Sequence, residues 1–182
     1  MRKTMLGACV ALAACASGGS GVTSAPAAVE QTTRITSDAG TAELRTTRSD
    51  PTASFAIAAP PERVFRALSA VYQDLGLTVN VLDTQGRRIG VENGRIRRQL
   101  GGQRLSRYLE CGERLGGRVA ETDDITFTLL TQVTADGQNS TLRTLVDATA
   151  RPIGVSGNPI TCATTGNLEE RIVALVREAV AR

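Results

Sequence analysis

The sequence predicts a two-layer α+β domain in which an antiparallel sheet of about five to seven strands is covered on one face by two helices. Three observations carry this. Apolar residues recur at helical period in two places: Val64, Phe65, Leu68, Val71, Tyr72 and Leu75 early in the chain, then Leu168, Ile172, Leu175, Val176 and Ala179 at its end. Between them lie segments that alternate apolar and polar residues at strand period, separated by turn and loop signals. The unit that holds them, 52–182, has the length of one ordinary domain.

Taken in order, Ala53-Ser54-Phe55-Ala56-Ile57 alternates as a first strand. Pro60 and Pro61 stop it and open the first helix, where a fixed φ and a missing amide cost little, and Gly76 supplies the left-handed stop. Leu77, Val79 and Val81 alternate with Thr78 and Asn80 as a second strand. Asp83-Thr84-Gln85-Gly86 turns the chain, and Ile89 and Val91 resume the pattern up to a tight turn at Asn93-Gly94. Gln103 to Cys111 reads as a strand, with a short helix around Ser106 as the alternative, and Gly116-Gly117 and Glu121 to Asp124 mark a loop. Ile125, Phe127, Leu129, Thr131 and Val133 then share one face, Asp136-Gly137 turns, and Leu142, Thr144, Val146, Ala148 and Ala150 share a face on the return. That is an antiparallel hairpin. A loop through Pro152, Gly154, Gly157 and Pro159 leads to Cys162, and the last helix begins near Asn167 with Glu170 in capping-box position.

Ahead of this domain, Arg2 and Lys3 precede an apolar run from Met5 to Leu12 that is too short to span a bilayer and has the layout of a secretory signal. It ends in Leu12-Ala13-Ala14-Cys15, which resembles the lipobox of bacterial lipoprotein signal peptides. The resemblance implies that residues 1–14 are a signal peptide, that cleavage precedes Cys15, and that Cys15 carries lipid and anchors the protein to a membrane. Several acyl chains at ~0.8 kcal/mol per buried methylene make such an anchor effectively permanent. In that family an Asp after the cysteine retains the protein in the inner membrane. Ala16 stands here, so the implied location is the outer membrane, facing the periplasm. Residues 15–51 form the lipidated N-terminus and a flexible tether, small and polar from Ala16 to Ala28. Within it, 31–47 reads either as a hairpin at the domain's edge or as more tether.

The full chain carries 21 basic and 18 acidic side chains and no histidine. Loss of Arg2 and Lys3 with the signal leaves a balance of +1 in which every basic group is Arg. A GC-rich coding bias is a simpler explanation of an all-Arg complement than selection for guanidinium geometry, and an exported protein rarely meets nucleic acid, so no nucleic-acid partner is expected. Without histidine, a Ser-His-Asp triad, a His-ligated metal and imidazole acid-base chemistry are excluded. Glu121, Asp123 and Asp124 read as solvated loop charge rather than as a calcium site. The glycine pairs at 101 and 116 lack the flanking residues of a phosphate-binding loop. No catalytic residue, metal or cofactor is expected. Of four cysteines, Cys9 leaves with the signal and Cys15 is the lipid site, so Cys111 and Cys162 remain as an even pair in an oxidising compartment and are expected to form a disulfide.

From Arg87 to Arg118 nine arginines face only Glu92, Glu110 and Glu113, a local balance of +6. Arg87, Arg88, Arg95, Arg97, Arg98, Arg104 and Arg107 are the candidates for contact with an anionic partner, accompanied by Arg114 and Arg118. On alternating strands several of them would share a solvent face. The element order behind a lipobox and a tether resembles the helix-grip domains of BamC-type lipoproteins, accessory parts of the outer-membrane protein assembly machine. The chain departs from that family in having one such domain and in its cysteine pair. The resemblance rests on layout and assigns no residue a role. It implies a non-catalytic binding or scaffold module for an envelope protein or anionic envelope component. The alternative is a carrier holding a lipid or small hydrophobic ligand between the sheet and the last helix.

Overall fold

The computed structural model describes residues 28–37, 40–49, 52–114, 116–154 and 158–182. The proposed signal peptide, the lipid site at Cys15 and the tether up to residue 27 lie outside the described residues. β1 (Ala28–Ser37) and β2 (Gly40–Ser49) pair antiparallel, from Ala28 opposite Ser49 to Ser37 opposite Gly40. Among the described residues no helix is long and apolar enough to cross a membrane.

The domain is the expected two-layer α+β arrangement. Its spine is the hairpin of β11 (Asp124–Asp136) and β12 (Asn139–Arg151), two 13-residue strands in unbroken register that turn at Gly137, φ 59. Strict alternation buries Ile125, Phe127, Leu129, Thr131 and Val133 on one face and leaves their neighbours half-buried or exposed on the other. β11 carries β5 (Arg88–Ile96) on its free side, and β5 carries the edge strand β4 (Val81–Asp83). The other side of β12 is long enough to be shared: β3 (Thr52–Ile57) pairs with Ser140 to Leu145, and β13 (Ile160–Thr164) with Ala148 to Ala150. β8 (Leu109–Glu110) completes the sheet beside β13.

Helix α1 (Pro61–Asp74) packs over β5, β11 and β12, while α3 (Asn167–Ala181) packs over β3, β12 and α1. Val64, Leu68, Val71 and Tyr72 of α1 are at most 2% exposed, and each such side chain contributes roughly 1.5–3 kcal/mol by leaving water. Tyr72 also brings a hydroxyl into the core, where Thr131 Oγ1 lies 2.9 Å from it and the Ile89 carbonyl accepts at 3.3 Å. Burial pushes this phenol's pKa far up, so it stays a neutral hydrogen-bonding group.

Several local expectations give way to tertiary contacts. The second strand does not begin at Leu77. The Leu77 amide turns back to the Tyr72 carbonyl, and Asn80 holds the Glu92 backbone through its side chain, with Nδ2 donating to the carbonyl at 2.9 Å and Oδ1 accepting from the amide at 2.8 Å, so regular pairing starts only at Val81. Asn93-Gly94 is no hairpin turn. Glu92 and Asn93, the latter at φ 53, form a bulge in β5 against the single residue Thr128, between the pairs Gly94–Phe127 and Val91–Leu129. Gly94 is needed there because a Cβ would meet Phe127 Cε1 at 2.8 Å. Glu121, expected in a loop, sits in a one-turn helix α2 (Val119–Thr122). The expected loop up to Cys162 conceals β13.

The capping box at α3 is absent as well, because its N-cap is Gly166 at φ 83, which has no side chain to cap with. Thr164 and Thr165 take over: their hydroxyls accept from the Gly166 and Asn167 amides at 3.1 and 3.4 Å. Thr164 Oγ1 also donates to Glu169 Oε1 at 2.7 Å. Glu169 is 0% exposed and its Oε2 has no hydrogen-bond partner, so burial outweighs the Thr164 bond and pushes the carboxyl pKa up from 4.5. A carboxyl with a raised folded pKa favours the fold most below the ordinary value, and that contribution is lost as pH rises through the raised one. Glu169→Gln, uncharged throughout, is therefore expected to exceed the native chain in stability at neutral pH and to lose less stability between pH 4.5 and neutrality. Urea denaturation across that range checks this. Parallel profiles for the two chains would mean that the Glu169 carboxyl is not destabilised by its burial.

Candidate functional site

Among the described residues the segment from Arg97 to Arg118 holds no long strand, yet its turns are tied to α1 and α3. β6 (Gln99–Leu100) and β7 (Gln103–Arg104) form a minimal hairpin on Gly101 and Gly102, φ 55 and 73. Leu100 and Leu105 are buried at the two legs, and the Gly101 amide donates to the Leu75 carbonyl at the end of α1. A 3₁₀ turn over Leu105–Arg107 follows, where the alternation predicts a strand. Its centre is Ser106, the position of the short helix that the sequence leaves as the alternative. The turn forms because Leu105 and Tyr108 are both drawn into the core, a three-residue spacing that an extended strand would send to opposite faces.

The back of this turn is held by the start of α3. Thr165 Oγ1 and Asn167 Nδ2 donate to the Arg107 carbonyl at 2.7 and 2.9 Å, and the Thr165 amide donates to the Tyr108 carbonyl at 3.0 Å. Four residues beyond Arg107, Cys111 is joined to Cys162 of β13, with Sγ atoms 2.02 Å apart and Cα atoms 4.3 Å apart, as the cysteine count predicts. β9 (Glu113–Arg114) and β10 (Gly117–Arg118) then form a second short hairpin that brings Arg118 back beside the turn.

The result is an open cleft of about 470 Å³ lined by Gln99, Gln103, Arg104, Ser106, Arg107 and Arg118, with Gly102 at its edge. Its countercharges are loosely held. Arg104 is 3.8 Å from Glu121 and Arg118 is 3.8 Å from Glu113, beyond hydrogen-bond distance, and the Arg104 and Arg118 side chains are 76% and 57% exposed. Arg107 donates to the Gln103 carboxamide at 3.3 Å. Exposed pairs of this kind contribute ~0–1 kcal/mol, so an incoming anion can displace them. Ser106 donates to Glu121, which leaves the hydroxyl oxygen able to accept.

The other arginines of the run are placed elsewhere. Arg87 donates to Glu62 at 2.9 Å, and backbone hydrogen bonds at the start of α1, joined by this guanidinium, hold the Glu62 pKa below its usual value. Arg97 is bonded to Asp124, which lowers that carboxyl's pKa and raises the guanidinium's. Arg114 donates at 2.8 Å to Asp123, whose side chain is 6% exposed. The three acids read as loop charge are thus each engaged by an arginine or by Ser106. Arg88 and Arg95 are exposed on β5 opposite Gln132 and Thr126, and Arg98 is exposed at φ 62 beyond the strand. Only Arg104 and Arg107 of the seven candidates line the cleft. Arg118 belongs to the same charge excess, while Gln99, Gln103 and Ser106 escape a reading by charge, although the Gly101-Gly102 pair signals the fold-back that gathers them. Among the described residues no group of three or more His, Cys, Asp or Glu could hold a metal ion.

A second open cleft, about 540 Å³, lies between α1 and the β4 edge and is lined by Ser69, Gln73, Leu77, Val79, Leu82 and Ile89, among others. It is separate from the interface between sheet and α3, where Ala148, Ala150, Leu168, Ile172 and Val176 are each at most 2% exposed. No family model matches the chain, and no curated protein matches it.

Proposed function

We propose that the chain is a lipoprotein anchored through Cys15 to the outer membrane, and that its 52–182 domain is a non-catalytic module that binds an anionic envelope component. The observation that carries this reading is the cleft in which, among the described residues, Arg104, Arg107 and Arg118 stand with no carboxylate in hydrogen-bond contact. Arginine presents a planar fork of donors suited to carboxylate and phosphate oxygens. Accessory service to outer-membrane assembly fits the same layout of anchor, tether and single binding domain. The filled interface between sheet and α3 favours this reading over the carrier, which needs space there.

Affinity capture of the anchored protein from its own membrane tests the reading. An anionic component should be retained at low salt and released at high salt, because the screening length falls from ~10 Å at 0.1 M to ~3 Å at 1 M. Charge reversal at Arg104, Arg107 and Arg118 together should abolish retention while leaving the melting temperature near that of the native chain. Retention indifferent to both salt and reversal would defeat the proposal. A fatty-acid analogue should label the native chain and not Cys15→Ser, and label on the variant would defeat the anchor.

A further inference from the structure

Resting on that reading of the cleft, we infer that its ligand is a phosphorylated sugar. Size argues first. A recess of about 470 Å³ is the volume of a discrete small-ligand site, while a flat membrane or a protein face would leave most of it unfilled. The lining chemistry narrows the class. Gln99, Gln103, Arg104, Ser106, Arg107 and Arg118 supply no aromatic face on which a base could stack and no aliphatic wall for an acyl chain. What remains is a hydrophilic ligand.

Two kinds of recognition are present side by side. Three guanidiniums surround the recess, and a phosphoryl group, with about −1.5 to −2 charge at neutral pH and three strong acceptor oxygens, offers each fork an oxygen to bind. Donors and acceptors stand together here: the Ser106 proton goes to Glu121, so its oxygen is left to accept, the Gln103 oxygen takes a bond from Arg107, so its amide is left to donate, and the Gln99 carboxamide can do both. An acceptor such as the Ser106 oxygen or the Gln99 carbonyl gives nothing to an ionised oxyanion, whereas it matches the hydroxyl of a sugar. Phosphate alone would leave these acceptors unused. The loose 3.8 Å contacts of Arg104 and Arg118 with Glu121 and Glu113 keep both cations near the recess without occupying their donors.

A free sugar phosphate and the phosphorylated sugar headgroup of a membrane lipid share this chemistry. The full-length chain carrying Cys15→Ser, which removes the proposed lipid site, separates them. Titration calorimetry with glucose 6-phosphate, inorganic phosphate, glucuronate and glucose should give tightest binding to glucose 6-phosphate, by about tenfold over each of the others, an increment of ~1.4 kcal/mol. Arg107→Gln should weaken glucose 6-phosphate and inorganic phosphate alike. Gln103→Ala should weaken glucose 6-phosphate more than inorganic phosphate, a difference that loss of general charge attraction would not produce. Unchanged melting temperatures show that these variants fold. Co-sedimentation with phosphatidylcholine vesicles containing phosphatidylinositol 4-phosphate assigns the source: binding above that to phosphatidylglycerol vesicles of equal charge identifies a headgroup, and binding of the soluble sugar phosphate alone identifies a free ligand. Equal affinity for inorganic phosphate or glucuronate, or no binding of glucose 6-phosphate, overturns the inference. Should salt-sensitive capture that depends on the three arginines persist in that event, the binding module stands and only its assigned ligand falls.

Discussion

Replacing both Cys111 and Cys162 by Ser is expected to lower the unfolding free energy by about 4 kcal/mol. The crosslink joins residues 51 apart in sequence, and closing a loop of that length in the unfolded chain removes entropy equivalent to ~4 kcal/mol. Against a typical net stability of ~5–15 kcal/mol that is a large share. The loss should also be local before it is global. Among the described residues β13 meets β12 through Ala148, Thr149 and Ala150, and β8 meets β13 through two residues, so this corner of the sheet has a short ladder to hold it once the covalent link is gone. The Arg107 carbonyl depends on Thr165 and Asn167, just past β13, so the cleft should loosen with it. Urea denaturation with and without reductant gives the global change. Hydrogen exchange at Leu109 to Glu110 and Ile160 to Thr164 gives the local one. A native chain whose urea midpoint does not respond to complete reduction would contradict the assignment of the crosslink as a principal source of stability.

The second large effect is expected at Gly90, in the interior of β5. A Cβ there would stand 2.2 Å from the Leu129 carbonyl oxygen and 2.9 Å from the Leu130 Cα, both backbone atoms of the neighbouring strand. No rotamer relieves such a contact. Gly90→Ala must push β5 from β11 along the pairing that runs from Arg88 to Val91, and the pairing of Gly90 with Val81 of β4 moves with it. A cost of about 3 kcal/mol, the upper end of the usual penalty for overfilling a packed site, follows. Thermal unfolding of the variant checks the magnitude. A melting temperature equal to the native one would show that β5 and β11 can separate freely, contrary to the close approach that the glycine permits.

Both effects arise where strands meet that are remote in sequence, and the same distinction separates what was legible along the chain from what was not. The stripe from Val64 to Leu75 forms the helix it predicts, because every contact that defines it lies within four residues and Pro61 and Gly76 punctuate its ends. β11 and β12 were legible for a similar reason: two long alternations around one short turn have a single register that buries both apolar faces. The buried face of the last helix is broader and shifted from its periodic stripe: Glu169 and Val173 are buried beside Leu168, Ile172 and Val176, while Leu175 and Ala179 are half-buried.

The run of arginines was visible as a charge excess, but a count carries no direction. Arg87, Arg97 and Arg114 found carboxylates on α1, at the start of β11 and beside α2, partners that no local spacing announces. Arg104 and Arg107 were brought to Arg118 by two tiny hairpins and a 3₁₀ turn, elements too short to leave a period in the sequence.

Local periodicity and the counting of cysteines therefore determined by themselves the α+β class, the first helix, the central hairpin and the crosslinked pair. Tertiary structure alone decided the start of β4, the bulge at Asn93, the strand β13, the Thr-based start of α3 and the cleft. Each of those depends on a contact between segments far apart in the chain, whose free energy appears only once the core has drawn Leu100, Leu105, Tyr108 and Leu168 inward and has fixed where the polar residues between them must face.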